Sequence, residues 1–134
     1  SSLPPVQILA ALFIDDMDMR QVPGPATRID LTGIQFSGPA PGPFPYTWTP
    51  HLCVIVHCPP DQNGFSALTV EFELDGEQVA RNVQPLQIEP GKFGRQLVRP
   101  EITFDAPGTV YAHCSIDGGA PVSVPFTLLA PIGG

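Results

Sequence analysis

The 134-residue sequence predicts an all-β chain, and three observations carry that reading. Apolar residues recur at every second position in several runs, most cleanly in Leu68-Thr-Val70-Glu-Phe72-Glu-Leu74-Asp75. Period two marks a strand with one wet face and one buried face. Turn-forming pairs separate the runs: Asp75-Gly76, Asp117-Gly118-Gly119 and the Pro-Gly steps at Pro23, Pro90 and Pro107. Finally, no stretch of ten or more residues keeps a helical period without an interrupting proline or glycine.

In chain order the strand candidates are Val6 to Ile14, Arg28 to Phe36 and His51 to Cys58, followed by the Leu68 to Asp75 run. Glu77 to Arg81 follows directly after Asp75-Gly76, the strongest hairpin signal in the chain, because both turn positions need positive φ. Arg95 to Phe104, Thr109 to Asp117 and Val122 to Leu129 complete the set. Half of the prolines, nine of eighteen, fall between Pro23 and Pro60. The segment Pro39-Ala-Pro41-Gly-Pro43-Phe-Pro45 cannot be a central strand, since each proline removes a ladder donor. It is expected to run as a polyproline II crossover between sheets, with Phe44, Tyr46 and Trp48 packing onto the core edge by shared parity. Seven to eight short strands with these turns point to an antiparallel β-sandwich of immunoglobulin-like type with no substantial helix. Residues 1–134 read as one domain, with a flexible N-terminal segment over 1–5, the Pro-rich crossover over 37–50 and a flexible tail over 130–134.

Composition narrows the function classes. A hydrophobic fraction of 43 % sets the chain apart from a hydrophilic disordered tail, despite 18 prolines and 13 glycines. The longest apolar run, Ile8 to Ile14, is seven residues, against about 20 for a bilayer-spanning helix, so no membrane insertion is expected. A net charge of −7 argues against nucleic acid as a partner. Ser1-Ser-Leu-Pro-Pro5 shows no basic segment leading into a long apolar one, which favours a cytoplasmic location, with a trimmed leader as the alternative.

Three cysteines, Cys53, Cys58 and Cys114, do not read as a disulfide framework. Cys53 and Cys58 lie five residues apart in one strand candidate, which separates them by about 16 Å. That is far beyond the roughly 7 Å a disulfide allows, although either thiol is free to pair with Cys114. Free buried thiols are the simpler expectation.

Several short blocks carry a family resemblance. They are the apolar strand closed by acids (Ile8 to Asp16), Leu31-Thr-Gly-Ile34, Phe44-Pro45 and Leu74-Asp-Gly76. The last are Phe104-Asp-Ala-Pro-Gly-Thr-Val-Tyr111, Asp117-Gly118 and Pro125-Phe126. Their order resembles a family of short, single-domain bacterial, largely actinobacterial, proteins of unknown function, over roughly residues 6–130. The resemblance implies an immunoglobulin-like β-sandwich and no agreed activity. Immunoglobulin domains with an inter-sheet disulfide place a cysteine two residues after the corner tyrosine, whereas Cys114 follows Tyr111 by three and takes the opposite face. Cys114 therefore reads as core, beside Val110, Ala112 and Ile116.

Every histidine lies near a cysteine: His51 and Cys53, His57 and Cys58, His113 and Cys114. If the strands carrying them are sheet neighbours, one outer face shows His51, Cys53, Ile55, His57, Tyr111 and His113. This is the expected partner-binding face, led by His51, Ile55, His57, Tyr111 and His113. Its occupant is expected to be a protein partner or a second copy of the chain. Imidazole and thiolate are zinc-preferring ligands, so Cys53, His57 and His113 form an alternative metal site; otherwise no cofactor is expected. Asp15, Asp16 and Asp18 form an acidic turn without the loop pattern of a calcium site. Lys92, Arg95 and Arg99 place three of six positive charges within eight residues, a candidate patch for an anion or acidic partner, with Glu89 and Glu101 nearby.

No serine lies in a Gly-x-Ser-x-Gly elbow, and neither His-Glu-x-x-His nor a phosphate-binding glycine loop is present. The reading is a non-enzymatic binding or assembly module, with a zinc-type metal protein as the alternative.

Overall fold

A computed structural model describes residues 6–20 and 28–132. Its described residues form strands without a helix: β1 (Gln7–Ile14), β2 (Asp16–Arg20), β3 (Arg28–Thr32), β4 (Ser37–Pro39), β5 (Tyr46–Trp48), β6 (His51–His57), β7 (Phe65–Leu74), β8 (Glu77–Gln87), β9 (Phe93–Val98), β10 (Ile102–Phe104), β11 (Gly108–Ile116) and β12 (Val122–Leu129). The expected segment over 1–5 and the last two residues of the tail lie outside the described residues.

β1, β6 and β9 form one sheet, and β4, β12, β11, β7 and β8 form a second in that order. β2 and β3 pair as a separate ribbon, and β5 pairs with β10. The turns behave as the sequence implies. Asp75 and Gly76 take φ of 54° and 81° and join β7 to β8. Asp117 and Gly118 take 49° and 74° and join β11 to β12, with β4 lying parallel along β12.

Twelve strands replace the expected seven to eight, and proline accounts for part of the difference. Leu52 pairs with Val98 and Trp48 with Ile102, so β5–β10 continues the β6–β9 ladder in the same register. On that register Pro50 stands opposite Pro100, both buried. Neither residue has an N–H to donate, so the ladder is interrupted there and resumes two residues further on. The expected strand over Arg28 to Phe36 is also shorter. β3 stops at Thr32, and beyond it Gln35 makes only an isolated bridge to Phe13.

The inward faces of the two larger sheets share one apolar cluster. Leu52, Val54, Val56 and Cys58 enter it from the β6 segment, and Val110, Ala112, Cys114 and Ile116 from β11. Both sets match the parity expected from the sequence. At one end the rings of Phe13, Trp48, Phe104 and Phe126 meet. Trp48 lies stacked on Phe126 with centroids 4.1 Å apart, and its centroid is 5.1 Å from that of Phe13. Phe44 and Tyr46 are half-buried against the core cluster, as their parity implied. On the opposite margin, Gln96 Nε2 of β9 donates to Gln84 Oε1 of β8, linking the edges of the two sheets.

Truncating Trp48, the only tryptophan, is expected to lower unfolding free energy by about 3–5 kcal/mol. Urea denaturation of Trp48→Ala followed by circular dichroism checks this. A loss below about 1 kcal/mol would mean that the aromatic group is not what joins the sheets.

Candidate functional site

The expected partner face requires β6 and β11 to be neighbours, and they are not. β6 lies between β1 and β9, whereas β11 lies between β7 and β12. Strand parity sorts residues between two faces of a sheet but says nothing about which sheet a strand joins. His51, Ile55 and His57 therefore line the outer face of the three-stranded sheet, while Tyr111 and His113 line the outer face of the five-stranded one. The two groups belong to different surfaces. The candidate metal set is divided the same way, with Cys53 and His57 on β6 and His113 on β11. Among the described residues no three His, Cys, Asp or Glu side chains group to hold a metal ion.

On the five-stranded sheet the register explains the surroundings of His113, which stands opposite Ser123 on one side and Glu71 on the other. Its Nε2 lies 3.1 Å from Glu73 Oε1, and its Nδ1 lies 2.6 Å from Ser123 Oγ. Both ring nitrogens are thus satisfied, Nε2–H donating to the carboxylate and Nδ1 accepting from the hydroxyl. Tyr111 lies nearly parallel to the imidazole, with centroids 6.2 Å apart. A two-residue turn at Asp117-Gly118 alone would put His113 opposite Val122, and the strand register is shifted by one residue to bring it to Ser123. Serine, imidazole and carboxylate are a hydrolase combination, but this group sits on a sheet surface. A cavity of about 280 Å³ is lined by Val6, Ile8, Ile116, Ala120 and Val122 among others, and includes neither His113 nor Ser123. The arrangement acts as a cross-strand hydrogen-bond chain.

The outer face of the three-stranded sheet has a different chemistry. Opposite Cys53, Ile55 and His57 of β6 stand Leu97, Arg95 and Phe93 of β9, and β1 contributes Ala10, Leu12 and Ile14. None of these residues is a carboxylate. Phe93 is 50 % exposed and Leu97 39 %, and Leu9, at an irregularity in β1, is 55 % exposed. The rings of His57 and Phe93 lie 4.6 Å apart. Phe93, Leu97 and Leu9 were absent from the expected face, although alternation along 93–97 was visible. At the other end of the face, His51 Nδ1 lies 3.3 Å from the Asp15 carbonyl oxygen.

Cys53 lies on this face too, yet it is buried, with its thiol 3.8 Å from the Met17 sulfur of β2. The acidic turn is in fact the start of that ribbon. Asp15 accepts a hydrogen bond from Gln35, Asp16 accepts one from the Met17 amide, and the Asp18 side chain lies outside the described residues. The three cysteines are free thiols. Burial pushes the Cys114 thiol up to about 12, and it raises the Cys53 thiol more than the Arg95 guanidinium lowers it.

Lys92 precedes β9, Arg95 lies within it and Arg99 follows it, so the basic patch runs along one strand. The carboxylate contacts of the described residues join Arg28 to Asp30 and Arg81 to Glu71 as ion pairs and His113 to Glu73 as a hydrogen bond, and none involves these three cations. The chain matches no protein-family model and no curated protein sequence.

An unfolded thiol ionises near 9 and the folded Cys114 thiol near 12, so between those values only the unfolded state loses the proton. The Cys114 contribution is therefore complete below pH 9 and declines as pH rises toward 12, by about 1.4 kcal/mol per pH unit. Urea midpoints measured from pH 8 to 11 are expected to fall more steeply for the native sequence than for Cys114→Val. Equal slopes would remove the thiol as the cause. In the same samples, the three thiols should react with a disulfide reagent only after urea is added.

Proposed function

We propose that the chain is a non-enzymatic binding module of immunoglobulin-like β-sandwich type, and that it docks a protein partner on the outer face of β1, β6 and β9. The strand order supports the fold reading. β12-β11-β7-β8 with a parallel β4 follows the arrangement of the larger sheet of variable-type domains, and β1-β6-β9 follows the other sheet. The resemblance to short actinobacterial proteins implies the same fold and adds no activity.

One observation carries the function. The chain holds thirteen acidic residues, yet none faces outward among the paired positions of this three-stranded sheet. Exposed Phe93 and Leu97 lie beside half-buried Ile55 there. An apolar face rimmed by polar groups is the surface type that partners cover. The opposite outer face exposes Phe65, Val83 and Tyr111 as well, but it also carries carboxylates, and Glu71 pairs there with Arg81 and Glu73 with His113.

Replacing Ile55 by lysine puts a second cation opposite Arg95 and removes the apolar side chain between Phe93 and Leu97, and Tyr111→Lys puts a cation on the other sheet. A partner that co-purifies with the native chain should be lost with Ile55→Lys and kept with Tyr111→Lys, both variants melting within a few degrees of the parent. Retention by Ile55→Lys and loss by Tyr111→Lys would move the site to the five-stranded sheet. No partner or self-association in any sample would sink the reading.

A further inference from the structure

We propose that the free edge of β9 accepts an extended acidic peptide as an added strand, its carboxylates meeting Arg95 and Arg99 and its apolar residues meeting Phe93 and Leu97. This rests on the reading of the chain as a binding module and names the partner's chemistry.

The first support is topological. β9 ends its sheet and pairs only with β6 among the described residues. A terminal strand leaves alternate amides and carbonyls without a ladder partner, which is what strand addition uses. The other strand ends of the two sheets are less suited to it. β1 carries an irregularity at Ile8 to Ala10, and β4 has only three residues. β8 contains Pro85, and its pairing with β7 is bulged. From Phe93 to Val98 β9 has neither proline nor a break in register. Six residues at about 3.3 Å each give a ladder of ordinary strand length.

Charge selects the occupant. On the outer side the order along the strand is Phe93, Arg95, Leu97 and then Arg99, apolar alternating with cationic. Arg28 and Arg81 have carboxylate partners, whereas Lys92, Arg95 and Arg99 enter no ion pair among the described residues of an acidic chain. A second copy pairing through β9 would gather four arginines on one ladder and bring no carboxylate to meet them, and like charges close together across strands are destabilising. An incoming strand alternating Asp or Glu with Val or Leu meets each position with its complement. Gln96 points the other way and is held by Gln84, so the strand is fixed before anything is added.

The test uses the full chain and an eight-residue labelled peptide alternating Glu with Val. Controls are a scrambled peptide of the same composition, a Lys-for-Glu version, and phosphatidylserine-containing vesicles. Fluorescence anisotropy is expected to show at least tenfold tighter binding of the alternating acidic peptide than of either control peptide, weakening as salt rises. Arg95→Glu with Arg99→Glu is expected to reverse the preference toward the Lys version. Hydrogen exchange on the unaltered protein should slow within Phe93–Val98, which keeps the test independent of how the variant folds. Equal binding of the scrambled peptide, protection elsewhere, or vesicle binding without peptide binding each overturns the proposal. Loss of the co-purifying partner with Ile55→Lys, without peptide protection at β9, would leave the sheet-face reading standing and remove only the added strand.

Discussion

The contact of Trp48 with Phe126 is the one on which the remaining organisation depends. Trp48 belongs to the ladder that continues β6 and β9, and Phe126 belongs to β12 in the five-stranded sheet. Their stacked rings, with Phe13 and Phe104 around them, join the two sheets at one end of the core. Aromatic side chains each bury about 150–250 Å², so a few of them supply much of the apolar area available to a small core. Phe13 serves both sides, touching Trp48 and Phe126 by its edge or tilt. Away from this end the apolar cluster continues between the sheets, and the Gln84–Gln96 hydrogen bond links their edges.

The two outer faces then differ in kind. On the five-stranded sheet, charged and polar groups engage one another across strands: Glu71 with Arg81, Glu73 with His113, His113 with Ser123, Thr109 with Thr127. Such cross-strand pairs contribute modestly and keep the face wet. On the three-stranded sheet the outward polar residues at the paired positions are Gln7, His51, His57 and Arg95, none of them a carboxylate. The β2–β3 ribbon reaches Cys53 through Met17 but leaves Phe93 and Leu97 exposed. An asymmetry of this sort is what makes one face, and not the other, the candidate surface.

Much of the local structure was legible in the sequence. The Asp75-Gly76 and Asp117-Gly118 turns carry their own conformational requirement, and the positive φ values there match it. Parity placed Leu52, Val54, Val56, Cys58 and Cys114 in the core and His51, Ile55 and Tyr111 outside it. What parity cannot encode is lateral order. β6 and β11 are far apart in sequence, no short turn connects them, and nothing in either strand names its neighbour, so the grouping of His57 with His113 failed. The interruption at Pro50 and Pro100 was visible residue by residue, yet only the register shows that the two prolines stand opposite each other. The strand character of Asp16–Arg20 was hidden by its charges, which read as a turn until Met17 is seen against Cys53.

The open edge of β9 follows from the brevity of the connection before it. β8 ends at Gln87 in one sheet and β9 begins at Phe93 in the other, so residues 88–92 must cross between sheets. Five residues make that crossing with little to spare, and three backbone contacts pin them, one of them the Cys58 amide donating to the Lys92 carbonyl at 3.0 Å. The Ile88 amide donates to the Gly64 carbonyl at 3.0 Å, and the Gly91 amide donates to the Cys58 carbonyl at 2.8 Å. Gly64 takes φ of +77°, and a Cβ there would collide with the Ile88 carbonyl oxygen, so the Ile88–Gly64 contact requires glycine. A crossing this short has no length for another strand, and a further strand is what would otherwise pair with β9 in its own sheet. The edges of β8 and β9 are consequently left on the same side of the molecule, tied by Gln84 and Gln96 beneath. Unpaired strand edges invite pairing with other chains unless something discourages it. On β9 the discouragement is charge, since a copy of the same strand would add two more arginines and no carboxylate to balance them. That same charge makes the edge selective rather than closed.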